Sequence, residues 1–191
     1  NLVYEIKLGD KAKINKITFI GDKKFKDRKL RSIIISEEYK FWKFISGKKY
    51  LNENIILFDE RLLKNFYRNK GYYAVEINSS FAKMNNNDEF ELVYNIDAKD
   101  KYYFNDLDIK LPLDFDDSNY DELKIFFENL KGKPYSINTV SKILDKIDII
   151  SINEQYESVK ATVTENILLN KINLSFNIKE TERFIVEKIN I

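Results

Sequence analysis

Slid against itself, the chain repeats one alternating apolar pattern three times, and this constrains its fold more than any other feature. Leu2-Val3-Tyr4-Glu5-Ile6 recurs as Leu92-Val93-Tyr94-Asn95-Ile96 and as Leu174-Ser175-Phe176-Asn177-Ile178. Leu92 follows Leu2 by 90 residues, and Leu174 follows Leu92 by 82. Beyond each copy, three apolar residues stand at matching offsets: Ile14, Ile17 and Phe19, then Phe104, Leu107 and Ile109, then Val186, Ile189 and Ile191. Apolar residues at every second position mark a strand with one buried face. A strand, a short charged connector and a second strand therefore recur as a block.

What lies between the copies also recurs in kind. After Phe19, Gly21-Asp22 reads as a turn. A short helical pattern follows, with Asp27 as N-cap and Leu30, Ile33 and Ile34 on one face. A longer helix is expected from Asn52 to Lys70, with the stripe Ile55, Phe58 or Asp59, Leu62, Leu63, Phe66 and Tyr67. Gly71 stands where a helix end favours a left-handed residue. Two strands close the unit, one alternating through Val75, Ile77 and Phe81 and the other through Phe90, Leu92, Tyr94 and Ile96. The polar Asn85-Asn86-Asn87-Asp88 joins them as a hairpin loop. In the next unit Asn119 caps a helix carrying Leu123, Phe126, Phe127 and Leu130. Ser136 opens another carrying Val140, Ile143, Leu144 and Ile147, and strands follow at 159–163 and 172–178.

The expected fold is α+β, with two tandem β-α-α-β-β modules, each a small three-stranded mixed sheet packed on two helices. The modules span residues 12–99 and 102–180. Residues 1–8 read as the last strand of a preceding module, and residues 184–191 as the first strand of a following one.

Composition narrows the function. Lys and Arg number 32 against 31 Asp and Glu, so the basic excess expected of a nucleic-acid-coating protein is missing. There is no Cys and no His, which removes the commonest zinc ligands and the usual neutral-pH general base. With only five Gly, no phosphate-cradling loop is seen, nor a Gly-x-Ser-x-Gly elbow. No run approaches the roughly 20 apolar residues of a membrane helix. The chain reads as a soluble piece, open to excision from a secreted or membrane protein, that binds protein partners rather than catalyses, with no cofactor.

Three stretches resemble the POTRA domain family. Ile17-Thr18-Phe19-Ile20-Gly21-Asp22-Lys23-Lys24-Phe25 looks like the family's strand followed by Gly-Asn-x-x-Phe. Phe41-Trp42-Lys43-Phe44 with Gly47-Lys48-Lys49-Tyr50 resembles the aromatic insertion of the third POTRA domain in the BamA family. Phe66-Tyr67-Arg68-Asn69-Lys70-Gly71-Tyr72-Tyr73-Ala74 matches the helix end and Gly-Tyr that open the next strand. By that register the two units are the third and fourth domains of the array. The second departs from the pattern, with Lys110-Leu111-Pro112 where Gly-Asn is expected and Ile152-Asn153-Glu154-Gln155-Tyr156 in place of Gly-Tyr.

The resemblance implies a periplasmic receptor and scaffold for unfolded outer-membrane proteins. It also implies neighbouring POTRA modules and accessory assembly lipoproteins as partners, and a full-length protein anchored in the outer membrane by a β-barrel. A purely architectural spacer, or modules of a related factor such as TamA, are the alternatives. In such folds the strand after the second helix is the open edge, here Val75, Glu76, Ile77, Asn78, Ser79, Ser80 and Phe81. It reads either as an ordinary edge or as one that pairs with client strands. A proline at Asn78 is expected to weaken pairing without unfolding the module. Phe41, Trp42 and Phe44 read as core cover or as a contact for a partner. The basic run Lys23, Lys24, Lys26, Arg28, Lys29 and Arg31 reads as a solvated face, with contact to lipid headgroups as the alternative. The acidic Asp114, Asp116, Asp117 and Asp121 lack the spacing of a calcium loop, and no metal is expected.

Overall fold

Ile14, Ile17 and Phe19 are spaced by three and then two, which a regular strand cannot place on one face. In a computed structural model, which describes residues 12–40, 49–83, 89–156 and 159–180, strand β1 (Lys13–Asp22) resolves this with a bulge. The register shifts between Ile14 and Lys16, and all three apolar residues turn inward and are buried. The chain divides into two compact units, with boundaries at Tyr67/Arg68, Tyr73/Ala74 and Lys99/Asp100, so that Arg68–Tyr73 pack with the second.

In the first unit β3 (Glu89–Asp97) is central. It pairs in parallel with β1 and antiparallel with β2 (Glu76–Lys83), giving the order β1-β3-β2. Helices α1 (Asp27–Arg31) and α2 (Glu53–Arg68) lie between β1 and β2 in sequence. Gly21 adopts a φ of +85°, and a side chain there would press into the carbonyl of Ile96. Past this turn, Phe25 packs edge-on against Phe66 and Tyr67 of α2, with ring centroids 4.9 and 5.1 Å away. The glycine and the phenylalanine of the motif thus join β1 to the helix.

The buried face of α2 is Ile56, Asp59, Leu63 and Tyr67, rotated from the expected stripe, and Phe58 is exposed. A carboxylate lies at the centre of the buried face because three donors converge on it. Asp59 is fully buried and accepts from the main-chain N–H of Ile35 at 2.6 Å, that of Ser36 at 3.1 Å and the Tyr94 hydroxyl at 2.9 Å. The expected stripe was open between Phe58 and Asp59, and these converging donors decide it for Asp59. Asp27 also differs from expectation: Lys26 is the N-cap, and Asp27, in the first turn, pairs with Lys23.

The second unit repeats the topology with different side chains. Strands β4 (Tyr103–Lys110), β5 (Val159–Leu168) and β6 (Lys171–Glu180) form a sheet in the order β4-β6-β5. Again the first strand is parallel to the centre and shifts register, here between Phe104 and Leu107. Helix α3 (Asp121–Leu130) follows a 3-10 turn at Asp117–Tyr120, which Asp116, and not Asn119, caps by accepting from Ser118 N. Ser136 caps α4 (Ile137–Asn153) as expected. The buried face of α4 is Val140, Ile143, Ile147 and Ser151, the same spacing as in α2, so Ile143 holds the place of Asp59. Phe176 correspondingly holds the place of Tyr94 and stacks on Phe127 at 5.4 Å. The polar hub of the first unit is an apolar contact in the second.

Asp59→Ala leaves three donors without an acceptor, two of them buried, and should lower stability by about 3 kcal/mol or more, whereas Tyr94→Phe should cost about 1 kcal/mol. Denaturant unfolding of the variants checks both. Tyr73 in the second unit donates to Glu165, and burial together with that carboxylate pushes its phenol from near 10 up to about 12. A phenol raised in the folded state gives stability that is full below pH 10 and lost as pH rises through 12. Unfolding followed between those values should show this loss, and Tyr73→Phe should reduce it.

Candidate functional site

A three-stranded sheet has two edges, and in the first unit they differ. The ladder phase fixes which groups each edge presents. Ala98 N donates to Asp22 O at 3.2 Å, so Asp22 faces β3. In a parallel pair facing residues alternate, so Thr18 and Ile20 also face β3, while Ile17 and Phe19 face outward. On β3, Leu92, Tyr94 and Ile96 return these bonds. Val93, Asn95 and Asp97 face β2, where they pair with Ser80, Asn78 and Glu76. The main-chain groups of Ile77, Ser79 and Phe81 are therefore the ones that point away from the sheet.

Among the described residues nothing hydrogen-bonds these outward groups on β2. Side chains alternate along the strand as expected at first: Val75 and Ile77 are buried, and Glu76, Asn78 and Ser80 are exposed. Phe81 departs from the expected pattern. It has inward parity yet is 61% exposed, although its cross-strand partner Leu92 is fully buried, because β2 is the edge strand. Its ring lies 6.1 Å from that of Phe90, and it helps line a groove of about 370 Å³ with Leu51, Ile56, Leu57 and Ser79. Leu57 is itself 48% exposed. A free backbone edge thus borders an apolar groove, the combination that strand recruitment needs. Beside the strand, Lys99 sits 3.7 Å from Glu76 and bonds Asp97.

The outer flank of β1 is occupied. The carbonyls of Ala12 and Ile14 accept from Leu51 N at 2.9 Å and Tyr39 N at 2.6 Å. Ile17 N donates to Glu38 at 3.1 Å, and Ile17 O accepts from Arg31 at 2.8 Å. Phe19 O accepts from Lys23 Nζ at 3.0 Å, and Gly21 O from Lys23 N at 3.1 Å. Nothing in the spacing of the sequence signals this cover, since Glu38 reaches Ile17 across 21 residues.

The phase corrects one expectation. Asn78 faces Asn95, so a proline there would break the ladder inside the module. The position at which proline blocks the open edge alone is Ser79. Phe41, Trp42 and Phe44 lie outside the described residues. The basic run is largely engaged: Lys23 pairs with Asp27, Lys24 with Asp22 and Arg31 with Glu38, while Lys29 sits over the Phe66 ring at 5.4 Å. Of the acidic residues, Asp116 caps the 3-10 turn, and Asp117 and Asp121 pair with Lys124.

This architecture is that of the POTRA domain, and residues 12–99 match the family model described as POTRA, surface antigen variable number repeat. The match falls on the first unit, and the chain is similar along most of its length to the outer membrane protein assembly factor BamA. It is 25% identical over 183 residues to that of Neorickettsia risticii, covering 93% of this chain and 24% of the relative. To that of Buchnera aphidicola it is 24% identical over 185 residues, covering 95% and 29%. The chain thus spans about a quarter of the length of these curated relatives.

Among solved structures, POTRA domains 3–5 of Haemophilus influenzae BamA align with a TM-score of 0.62 at 15% identity, over 88% of this chain and 61% of that one. POTRA domains 1–2 of Omp85 from Anabaena align at 0.54 and 10% identity, over 91% and 99%. Modules of different position match, so the likeness is one of fold.

Proposed function

We infer that the chain is the third and fourth POTRA modules of a BamA-like assembly factor, working at the periplasmic side of the outer membrane. The first unit receives extended segments of unfolded outer-membrane proteins by pairing along β2. The observation that carries this reading is the open Ile77-Ser79-Phe81 main chain beside the groove of Leu57 and Phe81. Backbone pairing is nearly independent of sequence, so one edge takes many client strands weakly. The groove adds affinity for an apolar side chain without demanding a particular one. Similarity to BamA supports the client class and the location. Accessory lipoproteins and neighbouring modules of the same array are partners on other faces. The role is one of binding and scaffolding, with no catalytic step.

Titration with a peptide copied from an unfolded outer-membrane barrel strand tests the reading by amide NMR. Shifts are expected along residues 76–83 and at Leu57. Ser79→Pro should weaken association at least about tenfold, roughly 1.4 kcal/mol, with little loss of stability. Asn78→Pro should instead destabilise the unit by roughly 1–3 kcal/mol through the broken ladder. Silence along β2 in the unmodified chain would leave the modules as an architectural spacer.

A further inference from the structure

We propose that Arg31 and Glu38 form a polar plug on the outer flank of β1 that denies this edge to incoming strands and confines recruitment by the first unit to β2. The proposal rests on the reading that β2 receives strands, and it explains why recruitment is one-sided.

A partner strand would offer β1 an acceptor for Ile17 N–H and a donor for Ile17 C=O. Glu38 and Arg31 supply these two groups, at 3.1 and 2.8 Å, and are held to each other at 2.5 Å. Charge-assisted bonds of this kind are stronger than the neutral amide bonds that a strand would bring in exchange. The cover extends along the strand. Tyr39 N holds Ile14 O below the plug, and Lys23 Nζ holds Phe19 O above it. An incoming chain would have to break several bonds at once and leave the Arg31–Glu38 pair without its backbone partners.

The second unit shows that such cover is not required by the fold. Its β4 is held at the start, where Phe104 bonds Lys133 O and Gly132 N. By the same ladder phase Leu107 and Ile109 face outward, and among the described residues nothing bonds their main chain. Leu107 is the counterpart of Ile17, and the ion pair beside it, Lys131 with Asp106 at 2.7 Å, bonds neither main-chain group of Leu107 among the described residues. The pair in the first unit is therefore an addition to the shared architecture. It also gives a use to the two ends of the basic run, because Lys23 and Arg31 both cap β1 carbonyls.

The test is an amide NMR titration of the whole chain with a short alternating Val-Thr peptide flanked by lysines. In the unmodified chain Ile17 and Phe19 should be silent. In Arg31→Ala/Glu38→Ala, new saturable shifts are expected at both, beside whatever occurs at β2. Glu38→Gln, whose amide oxygen still accepts from Ile17 N–H, should stay silent there. Glu38→Ala, which frees only one group, should respond in the same direction with smaller amplitude and serves if the double variant does not fold. Silence at β1 in folded variants overturns the plug whatever β2 does, while silence at β2 alone counts against the receiving edge and leaves the plug standing.

Discussion

Two of the three strands in a small sheet are edges, and their outward N–H and C=O groups must be bonded by protein, by water or by another chain. This requirement shapes the first unit more than any single apolar contact does. Its β1 is bonded along its length by side chains and by the segment after α1, while among the described residues nothing bonds the outward groups of β2. The difference makes the unit one-sided. A sheet with two open edges could accept strands on both sides and propagate. A sheet with two covered edges could accept none.

The cover depends on the core. Glu38 reaches Ile17 only because the chain after α1 is pinned two residues earlier, where Ile35 and Ser36 donate to Asp59. A buried carboxylate is a poor source of net stability compared with an apolar residue of similar size. The second unit illustrates the cheaper alternative, with Ile143 and Phe176 in the places of Asp59 and Tyr94. The first unit keeps the polar hub where a long inter-helix segment needs a fixed path. In the second, residues 131–136 join the helices directly and no such anchor is required.

Much of the architecture was legible in the sequence, because it rests on alternation and on the recurrence of the 14-17-19 spacing. The three-then-two interval even carries the bulge, although only pairing with β3 shows it. What escaped was set by groups that periodicity does not weigh. The choice between Phe58 and Asp59 in the α2 stripe turned on donors far along the chain, the main chain of Ile35 and Ser36 and the Tyr94 hydroxyl. Asp116 rather than Asn119 capped the turn before α3, because a 3-10 segment precedes the helix. Phe81 kept its parity and still left the core, because parity fixes the face of a strand and not how much of an edge strand is covered. The candidate edge could be placed on residues 75–81, but not the phase of its bonds. That phase is set by the Ala98–Asp22 contact, and it moved the informative proline from Asn78 to Ser79.

Among the described residues, the first unit presents one open edge and one covered edge. Amide hydrogen exchange of the free chain tests this most directly, by comparing Ile17 with Ser79, both outward-facing and at the middle of their strands. Ile17, bonded to Glu38, should be protected, and Ser79 should exchange far faster than its neighbour Asn78. Protection of Ser79 equal to that of Asn78, or an Ile17 amide as fast as Ser79, would contradict the account.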